Sequence, residues 1–357
     1  MEKLIKINQM KNAVLGLLTF MFFISNGYAT EYTKTSNKTF DVNKNVLLDI
    51  RTEFGEIKAY NWDKQKISVE ATITVEADSQ SKADERFERI KLQMDGGKDL
   101  VNIISSIESG FFGKAGNTIR IDFIIYYPAD CRLNLKTSFG SAFFETVNGY
   151  ADISVDYGNF NVKNLLYTDN RIDIGFGKFN ATQITNATVE VDYGSCQIEK
   201  IETLNLKTSF CGNVNIDNVN TLNIKSAYDK INIGNVKFIN GSSQFTTLII
   251  EEFEKKLILK TSYGSFKINS VASEFELIDV NSNFCSIKLG VLPSAHFSFY
   301  VDIDHGSFNY PKEKVLITNV QKDVTDLLME GYFGSKEKAK GNIRLSVDHA
   351  SANLFIK

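Results

Sequence analysis

The sequence predicts an all-β protein: a parallel β-solenoid (β-helix) with about 17–21 residues per coil, preceded by a β-rich capping subdomain that contains one helix. Three observations lead there. One aromatic residue returns at a steady interval, alternating apolar positions flank each return, and a glycine usually follows the aromatic.

The aromatic series is Phe139, Tyr157, Phe176, Tyr193, Phe210, Tyr228, Phe245, Tyr263 and Phe284, at intervals of 18, 19, 17, 17, 18, 17, 18 and 21 residues. Leu133, Leu135 and Thr137 lead into Phe139, Ile172 and Ile174 into Phe176, and Leu259 and Thr261 into Tyr263. Phe160 and Val162, Phe179 and Ala181, and Cys196 and Ile198 follow in the same alternating manner, as expected of strands with one face inward. Inward places sit at even offsets before the aromatic and odd offsets after it. That change of parity assigns the glycine to a corner, where a bend or a positive φ is needed. The copy at Phe210 carries Cys211 before Gly212, and its inward set moves by one residue to Val214 and Ile216.

Two short strands and two corners in one period are too little for a four-stranded propeller blade. They suit one solenoid turn, with equivalent strands stacked ~4.8 Å apart. The competing arrangement is a β-sandwich of hairpins, for which Asn148-Gly149 and Asn240-Gly241 would serve as turns. Identical residues in identical phase favour parallel stacking over it.

The chain divides into four parts. Residues 1–29 read as a secretory signal peptide: Lys3, Lys6 and Lys11, an apolar run from Ala13 to Ile24, then Gly27-Tyr28-Ala29 before the cut. The apolar run is well short of the roughly 20 residues a spanning helix needs, so no membrane span is expected in the mature chain. Residues 30–130 form the cap, with the repeat-like phrase LLDIRTEFGEIKAYNWD, the strand KISVEATITVEA and a helix from Ser81 to Met94 that places Ala83, Phe87, Ile90 and Met94 on one face. Residues 131–310 hold the coils. Residues 311–357 hold an insertion, in which Val320, Val324, Leu327 and Leu328 predict a short amphipathic helix, and a last coil or cap.

The order FGEIKAYNWDKQKISVEATI, a helix, IDFIIYYPADCRLNLKTSFG, repeated Phe/Tyr-Gly units and a late GYFGSKEKAKGNIRLSVDHASANLFI resembles the bacterial putative-adhesin family of exported domains common in Bacteroidota. The shared motifs are turn glycines and core apolars. The resemblance implies a β-helical fold and an exported location, and it transfers no site residues.

A formal charge of −3 gives no support to a nucleic-acid partner. Cys131, Cys196, Cys211 and Cys285 show no CxxC spacing, and free thiols are expected. Cys211 and Cys285 lie four coils apart, and a Cys196–Cys211 bridge is the one pairing left open. His305 and His349 occupy the aromatic place of two late repeats, each after an aspartate. If those repeats stack directly, Asp304, His305, Asp348 and His349 form a candidate metal cluster, against the plainer reading that histidine continues the aromatic column. The outward column Asn161, Asn180, Gln197, Asn215 and Asn232 either bonds along the stack or presents contacts to a ligand. Phe143 and Ile249 are apolar at outward places.

No catalytic constellation stands out, and no cofactor is called for. The expectation is an exported, non-enzymatic structural or recognition protein, adhesin-like, whose partner is a protein or glycan at the cell envelope, in the periplasm, on the outer surface or secreted. The alternatives are a carbohydrate-active lyase or hydrolase using Asp156, Asp173, Glu190 and Asp192, and a periplasmic partner in envelope signalling that makes contact through Pro311–Lys340.

Overall fold

The computed structural model describes residues 30–108 and 118–357; the expected signal peptide lies outside the described residues. Among them are twenty-two strands, one α-helix and two 3₁₀ turns, with every strand in one sheet. The all-β class follows directly.

The N-terminal strands are β1 (Thr30–Asp41), β2 (Leu47–Asn61), β3 (Lys66–Ala77), β4 (Ile90–Gly96), β5 (Leu100–Ile107) and β6 (Ile119–Tyr127). β3 lies antiparallel between β1 and β6, and β4 is antiparallel to β5. β2 runs parallel to β7 (Arg132–Val147), with Leu48 beside Leu133, Ile50 beside Leu135 and Thr52 beside Thr137. The phrase LLDIRTEFGEIKAYNWD is therefore a repeat in register, paired across 85 residues of sequence.

From β7 onward the chain restates itself in parallel. β8 (Ala151–Asp156) and β9 (Asn159–Leu165) pair with successive halves of β7, β10 (Asn170–Gly175) pairs with β8, and β11 (Lys178–Asp192) pairs with β9 and β10. These five strands, β7, β8, β10, β11 and β9, form a closed parallel ring of pairings, with the other strands outside it. Beyond the ring, β12 (Ser195–Ser209), β13 (Asn213–Ala227), β14 (Lys230–Gln244), β15 (Thr247–Val271) and β16 (Leu277–Val291) follow in parallel. Phe179, Cys196, Val214, Ile231 and Leu248 meet in one row, all buried. Each fully buried side chain of this kind contributes about 1.5–3 kcal/mol.

The corner differs from the expected one. Positive φ belongs to the aromatic residue itself: Phe54, Phe139 and the eight later Phe or Tyr of the series, together with His305 and His349, have φ between 48° and 62°. A left-handed residue reverses the side-chain parity, so Leu135 and Thr137 before Phe139 and Ala142 and Phe144 after it are all buried. The glycine is required by proximity instead. A Cβ on Gly158 would lie 1.7 Å from the Gly140 carbonyl oxygen, and one on Gly177 equally close to that of Gly158. Beside the corner lengthened by Cys211, another residue fits. Asp229 takes the glycine place after Tyr228, and its buried carboxylate accepts from Thr208 Oγ1 (2.7 Å), Ser226 Oγ (2.6 Å) and the Cys211 amide (2.7 Å). A buried carboxylate so satisfied needs no cation.

Two expected helices are corrected. α1 spans only Gln80–Glu88, capped by Ser79, whose hydroxyl accepts from the Lys82 amide; Ala83 and Phe87 are its buried residues. Ile90 and Met94 are buried from β4 instead, because Ile90, Leu92 and Met94 also alternate, and the free edge of β5 selects the strand reading. The segment with Val320, Val324, Leu327 and Leu328 is a hairpin, β19 (Val315–Lys322) and β20 (Asp326–Phe333), with Val324 at its exposed tip. β20 completes its backbone bonds on β17 (Phe297–Asp304) and buries Met329 and Phe333.

The chain then doubles back. β21 (Gly341–Asp348) lies between β16 and β17, parallel to both, and β22 (Ser351–Ile356) lies between β16 and β18 (Ser307–Asn309). The last repeat in sequence is thus an internal one in space.

Candidate functional site

The left-handed corners line their rings into one stack. In spatial order it runs Phe54, Phe139, Tyr157, Phe176, Tyr193, Phe210, Tyr228, Phe245, Tyr263, Phe284, His349, His305. Centroids along it are 4.6–5.2 Å apart, and the Phe and Tyr rings from Phe139 to Phe284 are about half exposed. Ring faces are used against each other, so the stack offers solvent its edges. Face-to-face recognition of a sugar by these rings is closed off.

The structure brings the four candidate metal-site residues together. His305 and His349 stack at 4.6 Å with planes 3° apart, and His305, Asp348 and His349 each place a ligand atom within 4.8 Å of the others. Each Nδ1 is 2.5 Å from Oδ1 of the preceding aspartate, Asp304 or Asp348. A carboxylate only accepts, so Nδ1 donates in both rings. His296 is elsewhere, with its Nδ1 accepting from the Ser335 amide at 2.9 Å.

The carboxylate patch is spread along neighbouring strands. Asp173 sits directly beside Glu190, while Asp156 and Asp192 flank Gly175 on either side. Lys207 pairs with Glu190, and Ser209 donates to Asp192. Partial burial first, and Glu190 second, push the Asp173 carboxyl up.

The amide column is in register from Asn161 through Asn180, Gln197 and Asn215 to Asn232. Asn180 donates to Asn161 (2.5 Å), Asn232 to Asn215 (2.9 Å) and Gln197 to Asp217 (3.2 Å), so three of the five amides are tied to neighbouring strands. Phe143 joins an outward aromatic group at the N-terminal end, 5.9 Å from Tyr60, which lies 5.9 Å from Tyr126. The four cysteines are free and buried.

A shallow, open depression lies where the repeat breaks. On the outer face of β19, β20, β17 and β21 is a cleft of about 520 Å³ lined by Ser298, Tyr300, Glu330, Tyr332, Asn342 and Arg344 among others. The register sets them in two rows. Glu330, Tyr300 and Arg344 lie side by side on three strands, and Tyr332, Ser298 and Asn342 form the next row. Asn342 Nδ2 donates to Ser298 Oγ (2.8 Å), and Arg344 Nε donates to Asn342 Oδ1 (3.0 Å), which orients the amide. Two aromatic rings, an acid, a guanidinium and an amide share a few rows of one sheet. Sequence reasoning marked Pro311–Lys340, which contains Glu330 and Tyr332, as a contact surface; it did not mark Ser298, Tyr300, Asn342 and Arg344, which β17 and β21 bring in from outside that segment.

No protein-family profile matches the chain, and no curated protein matches it. Among solved structures it is similar to a putative lipid binding protein of Parabacteroides distasonis (10% identity, TM-score 0.32, covering 91% of this chain and 98% of that one). It is also similar to a putative adhesin of Bacteroides fragilis (11% identity, TM-score 0.28, 90% and 97% covered). A third is a putative cell adhesion protein of Clostridium sporogenes (10% identity, TM-score 0.21, 91% and 100% covered). Two of the three carry the adhesion name that the sequence resemblance gives; at TM-scores below 0.5 the likeness carries no argument about what this chain does.

Proposed function

We propose that the chain is an exported, non-enzymatic recognition protein of the cell envelope that binds a glycan in the cleft between β19 and β21. The in-phase parallel pairings are read as coils of a β-solenoid: residues 1–29 direct export, 30–130 cap one end, 131–310 form the coils, and 311–357 supply the hairpin at the other end and a last coil. The observation that carries the reading is the cleft itself. Tyr300 and Tyr332 offer apolar ring surface, while Glu330, Arg344 and Asn342 offer the acceptor, charged donor and amide that sugar hydroxyl and carboxylate groups require. The solenoid serves as a stiff support for it, with part of its amide column bonded along the stack.

The test is binding of the purified chain to an array of neutral and acidic oligosaccharides, followed by calorimetry on any retained sugar. Tyr332→Ala and Arg344→Ala each weaken binding at least about tenfold, as expected for truncated anchors worth more than about 1.4 kcal/mol, and Asn180→Ala leaves it unchanged. Retention of no sugar, or binding indifferent to both cleft substitutions, refutes the assignment.

A further inference from the structure

β19 pairs with β20 and, among the described residues, with no strand on its other edge. Leu316, Ile317 and Val320 are 53%, 38% and 54% exposed, and the run from Val315 to Gln321 carries no charge, proline or glycine. An uncharged apolar edge of this kind is a template for another strand. The backbone phase tells which groups face it. At one end of the hairpin the Gly334 amide donates to the Lys314 carbonyl, and at the other the Asp323 amide donates to the Asp326 carbonyl, both at 2.9 Å. Bonded and non-bonded pairs alternate along an antiparallel ladder, so Leu316, Asn319 and Gln321 also turn toward β20. Val315, Ile317, Val320 and Lys322 turn their backbone groups to the free edge. Of these, Val315 gives its N–H to the Lys312 carbonyl and keeps only its own carbonyl for a partner.

We propose that the protein forms a two-fold dimer through this edge, β19 pairing antiparallel with β19 of a second copy of the chain and Ile317 standing opposite Val320. The bulge selects that partner. The register between β19 and β20 skips Thr318, so the step from Ile317 to Val320 is one residue longer than the steps from Val315 to Ile317 and from Val320 to Lys322. A regular strand has no matching step, which is how a bulge ordinarily protects an edge. A second β19 running the other way carries the same long step at the same place. Ile317 then meets Val320 of the second copy and Val315 meets Lys322, and each relation repeats about an axis between Thr318 and Asn319. Each Ile317–Val320 pair exchanges two backbone hydrogen bonds, and each Lys322 N–H reaches a Val315 carbonyl. Val315 stands beside Phe333 and Val320 beside Met329, both buried, so the facing side chains lie on one side of the joined sheet. Lys314 comes beside Asp323 of the second copy, an opposite-charge pair made twice.

Sedimentation equilibrium of the purified chain over about 1–200 μM tests this, since one strand pair is a small interface and calls for micromolar affinity. The mass is expected to rise to twice that of the chain and stop there, because a two-fold contact closes on itself. Val320→Lys and Ile317→Glu, made separately, each set a charge against an apolar side chain of the second copy. Each is expected to weaken association at least about tenfold. Made together, Ile317→Glu and Val320→Lys face each other with opposite charges across the axis, and association is expected to return to within about threefold of the unmodified chain. Both side chains are exposed and neither residue bonds β20 through its backbone, so the urea midpoints of all three variants should match that of the unmodified chain. A chain that stays monomeric at the highest concentration, a dimer indifferent to Val320→Lys, or a double variant no stronger than the weaker single one each overturn the assignment.

Discussion

Replacing Gly158 by alanine and, separately, Gly212 by alanine should give opposite results, although both glycines follow an aromatic corner. A Cβ on Gly158 would meet the Gly140 carbonyl oxygen at 1.7 Å, whereas one on Gly212 meets nothing within 4 Å. Ordinary contact lies above 3 Å, so the Gly158 variant must push neighbouring repeats apart by about 1.5 Å, enough to break hydrogen bonds between them. Losing two backbone bonds at about 0.5–1.5 kcal/mol each, together with the Phe139–Tyr157 stack at about 0.5–1.5 kcal/mol, amounts to roughly 2–4 kcal/mol. Gly212 has no positive φ, so its alanine restricts the unfolded chain and stabilises by about 0.4–1 kcal/mol. Urea midpoints from far-UV circular dichroism at 25 °C, taken side by side, measure the contrast. A neutral Gly158→Ala, or equal shifts for the two variants, would refute close approach as the reason for glycine.

Two further outcomes concern charge and thiols. Because the Asp173 carboxyl is pushed up, its contribution to stability is fully present below the unfolded value of about 3.9 and is lost as pH rises through the raised one. Asp173→Asn should therefore raise the thermal midpoint at pH 7 and leave it unchanged at pH 3, by an amount matching the relief of one like-charge cross-strand pair, about 0.2–1 kcal/mol; a lower midpoint at pH 7 would contradict this. Burial pushes the Cys131 thiol up to about 12 and the Cys211 thiol up to about 11, and raises Cys196 and Cys285 too. At pH 8 the Cys131 thiolate fraction is about 10⁻⁴, so a thiol-exchange reagent should label the native chain slowly and all four cysteines rapidly in urea. A native thiol reacting at the unfolded rate would show that the core opens.

Much of this architecture is written locally. The interval of the aromatics, the alternation around them and the shift after Cys211 are set by backbone geometry that each repeat must satisfy for itself, so Leu135, Phe160 and Val214 are legible as core from their neighbours alone. The sign of φ at the corner is not legible in the same way, because a glycine beside a tyrosine looks like the residue that turns. Only the spacing of adjacent backbones reveals that Gly158 is there for want of room. Phe87, Ile90 and Met94 satisfy a helix and a strand equally, and the decision belongs to β5, a distant partner. The histidine pair was legible as a conditional, since it depends on two repeats touching. The cleft was not, because Tyr300, Tyr332 and Arg344 come from three strands whose order in space departs from their order in the chain.

That departure has a consequence for how the molecule is assembled. A polypeptide made or threaded from its N-terminus can add β7 through β16 one after another, each new strand finding a finished edge. β17 and its hairpin then emerge with no partner in place, since the strand that joins them to β16 is still to come. The stack waits for β21 and β22, which enter as a keystone between two parts already made. A chain that stops before Gly341 would leave the β16 edge open to other molecules and the β17–β20 unit tethered but undocked, with the cleft missing one wall and His305 missing its neighbour. That end of the molecule is therefore not assembled until β21 and β22 have joined it.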